Sequence, residues 1–180
     1  MPIYENVPPI NWYPNPELNK RKLFDKIEFN SILDVGAGHG GVFDLDYWEQ
    51  KNNIRKEACD IHWIRNMPSG WNLRVGIDVQ ELDKYYQENE FDYVQCCEVL
   101  EHEPDTKKAL KQLVRVAKKA VFITSADEMH HKGEEQEAIE KINKYQAYIL
   151  QPSVEDMLDL GFHVKVEHYE KRQLIAWLIK

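Results

Sequence analysis

Ser31-Ile-Leu-Asp-Val-Gly-Ala-Gly-His-Gly-Gly41 is the stretch on which the fold of this chain turns. Ile32 to Val35 is a β-branched and aliphatic run, the pattern of a buried strand. It breaks into glycines at 36, 38, 40 and 41, and Val42-Phe43 then open a segment expected to be helical to about Lys51. Glycines at a strand-to-helix turn permit positive φ and let a ligand approach bare backbone. The free N–H groups at the start of the following helix face whatever occupies the crevice. The pattern predicts a nucleotide-cofactor site and leaves the identity of the cofactor open.

Outward from that turn, the chain alternates strands and helices. Arg55 to Ile61 reads as a second strand carrying Asp60 at its end, Leu73 to Ile77 as a third followed by Asp78, and Phe91 to Cys96 as a fourth. Between the second and third there is little room for a full crossover helix. Asp105 or Thr106 caps a helix whose apolar stripe is Ala109, Leu110, Leu113, Val114 and Ala117, and Ala120 to Thr124 is a fifth strand. Ser153-Val-Glu-Asp156 resembles a capping box for a helix running to Leu160 and ending at Gly161. Phe162 to Tyr169 and Gln173 to Ile179 make an antiparallel hairpin. The expectation is an α/β, Rossmann-like, seven-stranded and mostly parallel sheet with an antiparallel C-terminal hairpin and helices on both faces. Ligands of such sheets lie outside the carboxyl ends of the strands, where Asp60 and Asp78 overlook one crevice.

Two stretches decorate this frame. Residues 1–28 read as an arm rich in proline and aromatic residues followed by a short helix that starts at Asn15-Pro16. Residues 126–150 are polar and charge-rich and carry His130-His131. The whole of 1–180 reads as a single domain. A net charge of −8 argues against a nucleic-acid or anionic-membrane binder, because phosphate binding needs a basic face. Cys59, Cys96 and Cys97 lack zinc-type spacing and sit in apolar strand-like runs, so they read as buried free thiols in a reducing compartment. No metal site is expected. No signal-like or membrane-length apolar run is present, and the expected location is the cytoplasm.

Gly36-x-Gly38-x-x-Gly41 formally satisfies the dinucleotide fingerprint, with Asp60 near the distance of a ribose contact, so the glycines alone do not exclude a nicotinamide-dependent oxidoreductase. The wider pattern narrows the choice. Asp34-Val-Gly36-Ala-Gly38-His-Gly40 resembles the first motif of class I S-adenosylmethionine-dependent methyltransferases. Phe91-Asp-Tyr-Val-Gln-Cys-Cys-Glu-Val-Leu-Glu-His102 resembles the fourth-strand signature of their broad "type 11" branch. The later helix, strand and hairpin follow in the family's order. Ala117-Lys-Lys-Ala120 stands where the family usually has a Pro-Gly-Gly turn.

The resemblance implies an enzyme that binds S-adenosyl-L-methionine and releases S-adenosyl-L-homocysteine. It implies that Asp34, Gly36, Ala37 and Gly38 serve the methionine end, with Cys96 and Cys97 opening the segment that lines it. Asp60 would accept the ribose hydroxyls and Asp78 the adenine amino group, Val79 would donate a backbone N–H to the ring, and Ile61 with Val79 would clamp its faces. In-line transfer to an acceptor needs chiefly positioning, and a base helps when the acceptor is a hydroxyl or ammonium. Candidate bases are His102 foremost, then Glu101, His130 and His131. An acidic surface and small decorations point to a small-molecule acceptor, with 126–150 on the acceptor side. A non-catalytic cofactor-binding or scaffold protein with this fold is the third reading.

Overall fold

The computed structural model describes residues 24, 26–38, 48, 51–62, 64–126, 152–169 and 171–180. The expected arm, the helix over 42–51 apart from Trp48 and Lys51, and the segment 127–150 with His130 and His131 lie outside them.

Seven strands form one sheet in the order β3-β2-β1-β4-β5-β7-β6. β1 (Ser31–Val35) is central and pairs in parallel with β2 (Arg55–Asp60) on one side and β4 (Phe91–Cys97) on the other. β3 (Asn72–Val75) extends the sheet in parallel beyond β2, and β5 (Ala117–Ala126) does so beyond β4. β7 (Lys171–Ile179) is antiparallel to both β5 and β6 (His163–Tyr169), as the hairpin pattern predicts. The order reverses at β1, between β2 and β4, and a doubly wound sheet opens its crevice at such a switch point.

Alternation along β1 sends side chains to two separate cores. Leu33 and Val35 join Cys59, Val94 and Cys96 on one face, under Leu110 and Leu113 of α1 (Thr106–Val116). Ile32 joins Ala58, Tyr93, Phe122, Phe24 and Trp48 on the other. Asp105 caps α1 by accepting from the Lys108 N–H at 2.9 Å. The helix stops at Val116, and Ala117 already belongs to β5 rather than to the helical stripe. Lys180 Nζ donates to the Val114 and Ala117 carbonyls at 3.2 and 2.8 Å, and the Asn89 N–H to that of Arg115, so the end of α1 is hydrogen-bonded without a glycine turn. Ser153 caps α2 (Val154–Asp159) through the Asp156 N–H, and Gly161 follows one residue after the Leu160 cap.

β3 departs from expectation. It ends at Val75, not Ile77, because Gly76 takes φ +86° and the Gly76 and Ile77 N–H groups both turn back to the Asp60 carbonyl, at 2.9 and 3.1 Å. As expected, no helix intervenes between β2 and β3 among the described residues, and every residue of this edge strand is exposed. Its attachment is largely polar. Glu57, only 1% exposed, receives Arg55 at 3.0 Å and Asn72 at 3.1 Å and pairs with Arg74 at 3.0 Å. Burial alone would raise the Glu57 carboxyl. The hydrogen bonds from Arg55 and Asn72 and the charge of Arg74 outweigh it and hold the group below its usual range. Its ionised form therefore contributes stability that is present above the ordinary value of 4.5 and lost as pH falls through the lower folded value. Thermal melts between about pH 6 and 3 should show a shallower acid limb for Glu57→Gln than for wild type; superimposable slopes would contradict this.

A carboxylate-lined cavity at the strand ends

The ends of β1, β2, β3 and β4 converge on a cavity of about 390 Å³. That is within the range of about 300–1,000 Å³ typical of small-molecule sites. After Val35 the chain turns at Gly36, φ +76°, with the Gly36 and Ala37 N–H groups donating to the Cys59 carbonyl at 2.8 and 3.1 Å. A Cβ on Gly36 would stand 2.2 Å from Val99 Cγ2, so this turn packs flush against the segment after β4. At the end of β2, Asp60 Oδ2 accepts from the Gly38 N–H at 2.9 Å and Oδ1 from the His62 N–H at 2.8 Å. The carboxylate thus ties the glycine turn to the β2 loop.

Beyond β3, Asp78 Oδ1 accepts from the Gln80 N–H at 2.7 Å and caps the 3-10 helix Val79–Lys84. Beyond β4, Glu98 adopts φ +56° and donates its N–H to the Thr124 carbonyl at 2.9 Å, which swings Val99 and the short 3-10 helix Leu100–His102 over the cavity. Gln80 Nε2 then reaches across to Glu103 Oε2 at 2.7 Å. Burial, and next the Asp78 carboxylate, push Glu103 up to about 7 against the opposing hydrogen bond from Gln80.

Of the residues singled out in the sequence, Gly36, Gly38, Asp60, Ile61, Asp78, Val79 and His102 line this one cavity. Asp34, Ala37, Cys96 and Cys97 are not among its lining residues. Asp34 is 4% exposed and accepts from Gln95 Nε2 at 2.9 Å, while Gln95 Oε1 is buried with no hydrogen-bond partner among the described residues. Cys96 is fully buried, and burial first of all drives its thiol well above its ordinary value, so it is no nucleophile. Glu101 is buried and accepts from Ser125 Oγ at 3.1 Å. His102 is exposed. The sequence reading missed Glu98, Val99, Gln80 and Glu103. The first two follow directly on β4, which ends at Cys97 rather than Cys96.

The electrostatics are one-sided. Asp60, Asp78, Glu98 and Glu103 line the cavity, and its described lining residues include no lysine or arginine. Such a wall favours a cation and opposes a pyrophosphate. Among the described residues no group of three or more His, Cys, Asp or Glu is placed to hold a metal ion, and no helix is long and apolar enough to cross a membrane. The donor set fits a sulfonium nucleoside: two carboxylates at successive strand ends, a bare glycine backbone, and the Asp34–Gln95 pair behind it with an unused acceptor.

Comparison with known proteins agrees with this chemistry. The family model described as a methyltransferase domain matches residues 15–161. The chain belongs to that family, and so to the class I methyltransferases, whose methyl donor is S-adenosylmethionine. A methyltransferase dependent on that cofactor from Archaeoglobus fulgidus superposes with a TM-score of 0.63 at 16% identity, over 89% of this chain and 90% of that one. The magnesium protoporphyrin IX methyltransferase of Synechocystis, crystallised with S-adenosylhomocysteine, gives 0.60 at 13% identity over 89% and 78%. A chain from a complex of a methyltransferase activator with its methyltransferase from Haloferax volcanii gives 0.61 at 17% identity over 86% and 83%. No curated protein matches in sequence.

Proposed function

We propose that this chain methylates a small-molecule acceptor and that the carboxylate-lined cavity holds its S-adenosylmethionine. The observation that carries this is the lining itself: four carboxylates and no described lysine or arginine in one cavity at the switch point of the sheet. Asp60 would accept the ribose hydroxyls. Asp78 would accept the adenine amino group, with the Val79 N–H donating to the ring and Ile61 and Val79 packing on its faces. Gly36, Ala37 and Gly38 present backbone to the methionine end, and Asp34, oriented by Gln95, supplies negative charge behind it. The segment from Cys96 and Cys97 into Glu98 closes the same end. Bound there, the cofactor supplies an electrophilic methyl group that needs no further activation by the protein.

What remains for the chain is to orient the acceptor and, for a hydroxyl or ammonium, to take its proton. His102 is the candidate, because it lines the cavity and is open to solvent. The net charge of −8 and the absence of lysine and arginine from the described cavity lining support a small acceptor over a nucleic acid. The segment 126–150 is the proposed acceptor side. Incubation with tritium-labelled S-adenosylmethionine and a fractionated cell extract tests this. Label is expected in a low-molecular-weight product distinct from the donor; transferred label confined to protein or RNA would overturn it. With the acceptor in hand, His102→Gln should lower kcat while leaving cofactor Kd unchanged. A changed Kd with unchanged kcat would remove His102 from the base role.

A further inference from the structure

Glu103 lies one residue past the Phe91–His102 stretch that carries the family resemblance, yet it is built into the cavity wall. A single residue organises it. Gln80, 9% exposed, gives its backbone N–H to Asp78 Oδ1 and its side-chain amide to Glu103 Oε2, both at 2.7 Å. Two carboxylates from different strand ends are thereby tied to one residue, near enough for the Asp78 charge to raise Glu103, each with one oxygen engaged and the other without a hydrogen bond among the described residues. Like charges brought together in a partly buried wall repel, and the described lining offers no lysine or arginine to offset them. The arrangement suits a ligand nitrogen that carries two N–H donors, one for each carboxylate.

We propose that Glu103 is a second acceptor, beside Asp78, for the exocyclic amino group of the cofactor's adenine, and that the pair selects a 6-aminopurine over a 6-oxopurine; this rests on the assignment of the base to the Asp78 end. A 6-oxopurine would turn a carbonyl lone pair toward two carboxylates. Burial and the Asp78 carboxylate push the Glu103 carboxyl up to about 7, and its ionised form accepts a hydrogen bond more strongly than its neutral form. Cofactor affinity therefore rises with pH up to that value and levels off above it. The charged and titratable groups sharing the cavity are Asp78 after β3, Asp60 and His62 at the end of β2, and Glu98 and His102 after β4.

The test is calorimetric binding of S-adenosylhomocysteine and its 6-oxo analogue, S-inosylhomocysteine, to the full chain between about pH 6 and 8.5. Wild type is expected to bind S-adenosylhomocysteine about five- to tenfold more tightly at the upper end of the rise than at the lower. Glu103→Gln and Glu103→Leu should both abolish that step, and Glu103→Leu should narrow the preference for the 6-amino ligand. His62→Gln and His102→Gln should keep the step. A step that survives in both Glu103 variants, or that vanishes with either histidine, overturns the role of Glu103 while leaving the cofactor assignment intact. Failure of wild type to bind S-adenosylhomocysteine at any pH overturns the cofactor assignment itself, and the Glu103 proposal with it.

Discussion

Asp60→Ala is expected to weaken binding of S-adenosylmethionine and S-adenosylhomocysteine by on the order of 100-fold or more. Two effects combine. The carboxylate is the acceptor proposed for both ribose hydroxyls, and a hydrogen bond to a charged group contributes about 1.5–3 kcal/mol, so losing two exceeds the roughly 2.7 kcal/mol that corresponds to 100-fold. The same carboxylate also holds the Gly38 and His62 N–H groups at 2.9 and 2.8 Å, so its removal frees the glycine turn from the β2 loop. Asp60→Asn separates the two. It keeps one acceptor oxygen but turns an amide NH₂ toward the other N–H, so binding should fall between wild type and alanine. Titration calorimetry measures both; wild-type affinity in Asp60→Ala would remove this residue from the cofactor site.

Gly36→Ala is expected to destabilise the fold by about 2–5 kcal/mol, adding about 1–2 kcal/mol for a left-handed non-glycine residue to about 1–3 kcal/mol for overpacking. The left-handed cost follows from φ +76° at Gly36. The overpacking follows from a Cβ placed 2.2 Å from Val99 Cγ2, which the side chain cannot tolerate without moving the segment after β4. Val99→Ala in the same chain should recover the steric part and leave the backbone part, so the double mutant lies between Gly36→Ala and wild type. Urea unfolding of the four proteins gives the coupling. Equal losses with and without Val99→Ala would show that the turn and the β4 segment are not packed as described.

The features legible in the sequence are those with local causes. Ile32 and Leu33 alternate between two cores because a strand has period two. Asp105 caps α1, and Ser153 caps α2, by bonds to N–H groups three residues away. Asp60 and Asp78 reach one cavity because they follow parallel strands with a common carboxyl end. What escaped depends on contacts between distant segments. β3 stops at Val75 because the Gly76 and Ile77 N–H groups find the carbonyl of Asp60, on another strand. Glu98 enters the cavity through a positive φ at a residue that is not glycine, which composition does not announce. Gln80 and Glu103 meet across 23 positions, and neither belongs to a quoted motif. The resemblance puts Cys96 and Cys97 at the start of the segment that lines the methionine end; β4 runs through both, and Glu98 is the first residue after it to line the cavity.

The glycine turn at 36–41 is compatible with two cofactor classes, and the charge of the cavity is what distinguishes them. A dinucleotide would bring a pyrophosphate into a cavity whose described lining holds four carboxylates and no lysine or arginine, whereas a sulfonium nucleoside brings a cation. Titration of the wild-type chain with S-adenosylmethionine, S-adenosylhomocysteine and NADH under one condition tests this directly. Micromolar binding of the first two with no measurable heat from NADH is the expected result. NADH binding more tightly than S-adenosylmethionine would contradict it.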